Sequence, residues 1–159
     1  METSFKREVP SHEKQKEIAE GFGAMSGAGF KNVIGAINGL IICILCPPMA
    51  ICRLIQCGQA NFKCHRKDKF GLNMQTICDN KLHFWWVEIK WPGATSDFMA
   101  WTTSLLCKKL DDNDHLKLLC KSYTLVGDLA YVKRKYMAIP LKGYRHGHED
   151  AYNFYLSQL

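Results

Sequence analysis

The chain has no internal repeat, no low-complexity segment and no apolar run long enough to cross a bilayer. Its longest apolar stretch, Val33 to Cys46 ahead of Pro47-Pro48, spans 14 residues, against the ~20 a membrane helix needs. That stretch also holds Asn38 and two glycines, so it reads as a core strand. Met1 to Lys16 is charged and has no apolar centre, so no secretory leader is expected. Without an oxidising compartment the eight cysteines are expected to be reduced thiols. Cys43 and Cys46 have the spacing of a zinc knuckle, with Cys52, Cys57, Cys64 and His65 downstream. They stand in a β-branched run rather than on a turn, and no second pair follows, so structural zinc is not expected. Asp111-Asp112-Asn113-Asp114 lacks the glycine and distal glutamate of an EF-hand loop, which leaves a solvated loop.

What is present describes one globular domain. The 159 residues are 47% hydrophobic and 23% charged, enough to bury a sizeable core. The formal charge is +6, and the first 32 residues contribute five basic and five acidic groups, so the excess lies after them. A positive excess of this kind suits a polyanion such as nucleic acid. Basic residues cluster at Lys63, Arg66, Lys67 and Lys69 (with His65) and again at Lys133, Arg134 and Lys135.

Ser11 is placed to cap a helix running to Ala24, and glycines at 21, 23, 27 and 29 then break the pattern. Val33 to Leu45 reads as a buried strand, and Cys52 to Lys69 as a loop. Phe70 to Cys78 and Leu82 to Trp91 read as an antiparallel hairpin about Asp79-Asn80-Lys81. Ser96 is expected to cap a helix from Asp97 to about Leu110, with Phe98, Trp101, Leu105 and Leu106 on one face. Trp85, Trp86, Trp91 and Trp101 are expected in the core. Tyr123 to Val126 is a short strand ending at Gly127-Asp128, Ala138 to Leu141 a short extended piece, and a helix starts at Glu149. This order predicts a layered α/β domain. If the strand before Asp128 lies parallel beside the first, Asn38 and Asp128 face each other, and Asp97 lies at the same edge.

The motifs extend this reading. Gly29-Phe30-Lys31-Asn32-Val33-Ile34-Gly35-Ala36-Ile37-Asn38-Gly39 closely resembles the "G-F-x-x-V-I-G-A-I-D-G" segment of PIF/Harbinger-type transposases, within the DDE superfamily endonucleases. His65-Arg66-Lys67 leading into Leu72-Asn73-Met74-Gln75 and Asp79 is similar to "R-K-x-x-x-x-L-N-x-Q-x-x-x-D". Trp91-Pro92-Gly93-Ala94-Thr95-Ser96-Asp97 resembles "x-x-G-S-x-x-D", and Val126-Gly127-Asp128-Leu129-Ala130-Tyr131 resembles "x-G-D-x-x-Y". Asp150 to Ser157 resembles the lead-in to the last motif. The resemblance covers about residues 29–159, with residues 1–28 as an N-terminal helix and glycine-rich linker.

The resemblance implies a ribonuclease-H-like mixed sheet flanked by helices, incomplete at the C-terminus. It implies DNA cleavage and strand transfer by two Mg²⁺ or Mn²⁺ ions held by three carboxylates. Asp128 matches the second carboxylate. Asn38 stands at the first, where an amide keeps one neutral oxygen and loses the charge. The third, a Glu, is expected shortly beyond Leu159; Glu149 lies upstream of its place and does not match it. Asp97 is a further candidate around the metal, although a carboxylate just after Ser96 also suits a helix start. Metal binding is therefore expected to be weak or absent, and catalysis impaired. The alternative is a non-catalytic DNA- or protein-binding module derived from a transposase. DNA is the expected partner, through Lys63, Arg66, Lys67, Lys69, Lys133, Arg134 and Lys135. Residues 1–28 are too short for a DNA-reading helical domain, so a protein partner could supply that recognition. A nuclear, intracellular location follows if the source is eukaryotic.

Overall fold

The computed structural model of the chain describes residues 9–27, 29–114, 118–120, 122–143 and 146–159. Helix α1 (His12–Met25) opens at Ser11, whose side chain accepts the Lys14 N–H at 3.3 Å. Its buried residues Gln15, Ile18, Ala19 and Phe22 recur at helical spacing and form one inward stripe. Gln15 is fully buried and fully used. Its amide donates to the Pro10 and Leu118 carbonyls at 2.8 and 2.7 Å and accepts from the Cys120 N–H at 3.0 Å. These bonds tie α1 to the segment that feeds the central strands.

Among the described residues six strands form the sheet: β1 (Val33–Cys43), β2 (Lys63–Cys64), β3 (Lys69–Cys78), β4 (Phe84–Pro92), β5 (Thr124–Val126) and β6 (Met137–Ala138). β3 lies antiparallel to β1 and to β4, and its first two residues pair with β2. β5 runs parallel to β1, and β6 parallel to β5. The order across the sheet is β4-β3-β1-β5-β6, with only β3 opposed among these five. This is a mixed sheet flanked by helices, as a ribonuclease-H-like α/β domain has. Ile34, Ile37, Ile77, Leu125 and Met137 from the strands meet Trp101, Leu106 and Leu110 in the same core as Ile18 and Phe22. Trp85 and Trp101 are buried, Trp101 edge-on to Trp86 at 5.5 Å, while Trp86 and Trp91 are half-buried.

Several segments differ from expectation. The helix predicted from Asp97 to Leu110 is two: α3 (Asp97–Thr102) and α4 (Leu105–Lys109). Thr102 and Thr103 turn their hydroxyls back onto the Phe98 and Met99 carbonyls at 2.9 and 2.6 Å. Such bonds compete with helix continuation. Ser104 then takes extended backbone and caps α4 by accepting the Cys107 N–H at 3.0 Å. The expected solvated loop at Asp111 is instead part of a π-helical turn over Leu110–Asp114. Asp111 there accepts from the Tyr136 hydroxyl at 2.8 Å and pairs with Arg134 at 3.4 Å. Finally, the segment read as a loop from Cys52 to Lys69 holds the second half of α2 (Met49–Leu54), a 3₁₀ turn (Gln59–Phe62) and β2. Pro48 sits at the N-cap of α2, where its missing N–H costs nothing.

The third predicted strand starts two residues late, at Phe84. Leu82 takes a left-handed φ of 62°, and the Asp79 carboxylate accepts the Lys81 and His83 N–H groups at 2.8 Å each, which closes the turn before it. Helix α5 (His148–Leu156) begins where a helix was expected. Its Asn153 side chain bonds both backbone groups of Leu141, and its Tyr152 ring meets Phe30 edge-on at 5.9 Å.

Candidate functional site

The parallel pairing of β1 with β5 sets the site. Ala36 is registered with Val126, so two residues further on each strand come Asn38 and Asp128. Both side chains are exposed. Asn38 lies within β1, and its carbonyl accepts the Thr76 hydroxyl at 3.3 Å. Asp128 lies just past β5, where Gly127 still donates to the Ala138 carbonyl at 3.0 Å. The Asp128 carboxylate folds over its own turn: Oδ1 accepts the Ala130 N–H at 2.8 Å, and its carbonyl accepts the Tyr131 N–H at 3.2 Å. Gly127 makes that turn possible, since a Cβ there would stand 2.9 Å from both Ile37 and the Tyr131 ring.

Asp97, on the first turn of α3, serves the other face of the sheet. The register of β1 with β3 is unbroken from Ala36 to Cys43, so Asn38 and Gly39 point to opposite faces. On Gly39's face a Cβ would run into the Asp97 carboxylate and stand 2.7 Å from Gln75 Nε2. Asp97 Oδ1 accepts from Asn73 Nδ2 at 3.0 Å and from Gln75 Nε2 at 2.9 Å. Gln75 Nε2 also donates to Asn73 Oδ1 at 2.8 Å, and Gln75 Oε1 accepts the Tyr131 hydroxyl at 2.8 Å. Asn73, Gln75 and Tyr131 are buried. Burial first, and then the charges of Asp97 and Asp128, push the Tyr131 phenol well above its ordinary range, so it stays a donor.

Sequence reasoning quoted Asn73, Gln75 and Tyr131 within motifs but gave them no role. Their alternation with Phe70, Leu72 and Met74 put both amides on the polar face of the strand, and the structure buries that face. Their partners lie 22 and 56 residues away in the chain, which no local pattern reveals.

The basic residues do not form one surface. Arg66, Lys67 and Lys69 are exposed around the β2–β3 hairpin, at the C-terminal end of β1, about 17 Å from Asn38 along the strand. Lys63 pairs with Asp68 there at 2.8 Å. Lys133, Arg134 and Lys135 precede β6, whose Met137 is registered with Leu125. Because β5 and β6 are parallel, that connection has returned to the opposite end of the strands from Asp128. Arg134 is also engaged by Asp111.

A divalent ion of the Mg²⁺ class needs several hard, charged oxygen ligands in strict geometry. Asp128 offers one carboxylate, one oxygen of which already takes an N–H, and Asn38 offers a neutral amide oxygen. Among the described residues no group of three or more His, Cys, Asp or Glu side chains is placed to hold a metal ion. The residues present therefore do not fit a two-metal centre. The eight cysteines are free thiols, with Cys43 and Cys46 exposed and Cys52, Cys64 and Cys107 buried. Burial pushes the Cys107 thiol up, away from reactivity.

The mixed sheet flanked by helices is that of a ribonuclease-H-like α/β domain. Residues 55–158 match the family described as DDE superfamily endonuclease, and the chain belongs to that family. The matched span holds Asp97, Asp128 and the network under Gly39, and begins after Asn38. No curated protein and no solved structure matches the chain.

Proposed function

We propose that this chain is a Harbinger-type, transposase-derived endonuclease domain whose metal-dependent cleavage of DNA is impaired. The ordered motifs from Gly29 to Ser157 support the subtype. The observation that carries the reading is Asn38 placed level with Asp128 on neighbouring parallel strands. In this reading the two positions are those of a carboxylate pair, one member of which is an amide. Cleavage by this family's chemistry uses divalent metal to stabilise charge on the attacking and leaving oxygens. With a neutral ligand at position 38 the affinity for a first ion falls, because binding of hard cations follows the number of charged ligands. Asp97 acts as a structural acceptor in this reading, since its Oδ1 is committed to two amides on the face away from Asn38. A plasmid-nicking assay in Mg²⁺ or Mn²⁺ tests the proposal. The expected result is no nicking above a protein-free blank. Robust nicking that Asp128→Ala abolishes contradicts it.

A second reading, a DNA-binding module without catalysis, draws on the exposed Arg66, Lys67 and Lys69 at the C-terminal end of β1. It predicts duplex binding that weakens steeply with salt and survives Asp128→Ala. Absence of binding at low salt removes it.

A further inference from the structure

We infer that Tyr131, Gln75 and Asp97 form a positioning relay that holds the Asp128 turn against β1, with Asp97 and the Thr95 carbonyl together fixing the sense of its hydrogen bonds. The inference rests on reading Asp128 as a site carboxylate. Asp128 stands on an exposed turn outside the sheet, so something must fix its place beside Asn38. Its local bonds, to the Ala130 and Tyr131 N–H groups, shape the turn but do not attach it to the domain. Beyond the bond of the Gly127 N–H to the Ala138 carbonyl, attachment comes through Tyr131, three residues on, which is 2% exposed and whose ring lies against Gly127. Its hydroxyl reaches beneath β1 to Gln75 on β3.

Gln75 could present either its oxygen or its nitrogen to that hydroxyl. Asp97 decides. An ionised carboxylate only accepts, so Asn73 and Gln75 both turn their NH₂ groups toward it. The second hydrogen of Gln75 Nε2 goes to Asn73 Oδ1, which is itself oriented by the bonds of Asn73 Nδ2 to Asp97 and to the Thr95 carbonyl at 3.0 Å. Gln75 Oε1 is left as the one acceptor facing Tyr131, and the neutral phenol is the matching donor. Asp97 thus reaches Asp128 only through other residues, from the opposite face of the sheet. The same relay explains why Gly39 has no side chain: the carboxylate of Asp97 occupies that space.

The test uses the full ¹⁵N-labelled chain and the Ala130 amide, which donates to Asp128 Oδ1 at 2.8 Å. Hydrogen exchange at Ala130 is compared with exchange at Ile77, a fully buried residue of β3. Tyr131→Phe keeps the ring and removes one hydroxyl. It is expected to speed exchange at Ala130 by about tenfold or more while Ile77 keeps its protection, because local openings report local attachment. Asp97→Ala is expected to do the same, and Asp97→Asn, which keeps an accepting oxygen, to restore most of the protection. Unchanged exchange at Ala130 in folded Tyr131→Phe overturns the relay, as does failure of Asp97→Asn to differ from Asp97→Ala. If Asp97→Ala unfolds the chain, Tyr131→Phe alone decides. A separate arm adds Mn²⁺ to Asn38→Asp and looks for paramagnetic broadening of the 128–131 amides. No broadening there counts against the metal-site reading and leaves the exchange result standing.

Discussion

Replacing Gly39 by alanine adds a single methyl group, and the structure gives that change an unusually large cost. The new Cβ would meet the Asp97 carboxylate head-on and crowd Gln75 Nε2 at 2.7 Å. Neither neighbour is a loose chain end, because Asp97 Oδ1 holds two amide donors and Gln75 is buried with each of its amide atoms bonded. Overpacking a well-filled interior costs about 1–3 kcal/mol. If Asp97 is displaced, one or more buried amide hydrogens lose their acceptor, at about 1–3 kcal/mol each. A total near ~3 kcal/mol is expected. For a domain of this size that lowers the melting temperature by roughly 6–12 °C. Thermal and urea melts followed by circular dichroism measure it. Gly58→Ala is the control: its φ is −65°, nothing lies within 4 Å of a Cβ there, and a change of about 0.5 kcal/mol or less is expected. Equal melting of Gly39→Ala and Gly58→Ala would refute the placement of Asp97 over β1.

Trp101→Ala empties a 1%-exposed site that packs edge-on against Trp86 and should destabilise the domain by about 3–5 kcal/mol, read from urea melts. Tyr131 and Tyr136 are both held protonated in the fold, chiefly by burial, so their phenol pKa values lie above the ordinary value of 10.0. The folded state then binds more protons than the unfolded one once pH passes about 10, and stability is full below that pH and falls above it. Tyrosinate absorbance from these two residues should appear only with alkaline unfolding, and a spectrophotometric titration that shows every tyrosine ionising before circular dichroism changes would contradict their placement. Asp111→Ala removes the acceptor of the buried Tyr136 hydroxyl and the partner of Arg134, and should cost about 1–3 kcal/mol in the same melts, more than Asp68→Ala, whose pair with Lys63 is solvent-exposed.

The elements legible in advance were those with a capping signal or a long apolar run. α1 was announced by its Ser11 cap, and β1 and β3 are long enough for their apolar content to stand out. The parallel neighbourhood of β1 and β5 was reached as a condition on topology, and the register of Ala36 with Val126 meets it. Of the elements of two to six residues, β5 was legible from its apolar run ending at Gly127-Asp128, while α2, the 3₁₀ turn and β2 were not. α2 exposes Met49, Ile51 and Leu54 rather than burying a stripe, so it carries no helical signal. The break between α3 and α4 turns on which way two threonine hydroxyls point, a competition that apolar spacing does not record. The site was legible only in its chain-level positions. Asn38 and Asp128 could be named from motif and register, but the network of Asn73, Gln75, Asp97 and Tyr131 joins β3, α3 and the turn after β5. Its members look like ordinary polar residues until the fold brings them under Gly39.

The role of charge at position 38 is open to direct measurement by calorimetric titration of Mn²⁺ into the parent chain, Asn38→Asp and Asp128→Ala. Asn38→Asp is expected to bind Mn²⁺ on the order of tenfold or more tightly than the parent, since each added carboxylate raises affinity for a hard cation. Asp128→Ala is expected to bind no better than the parent. A parent chain that binds as tightly as Asn38→Asp, with that binding lost in Asp128→Ala, would show that the amide at position 38 does not disable the site.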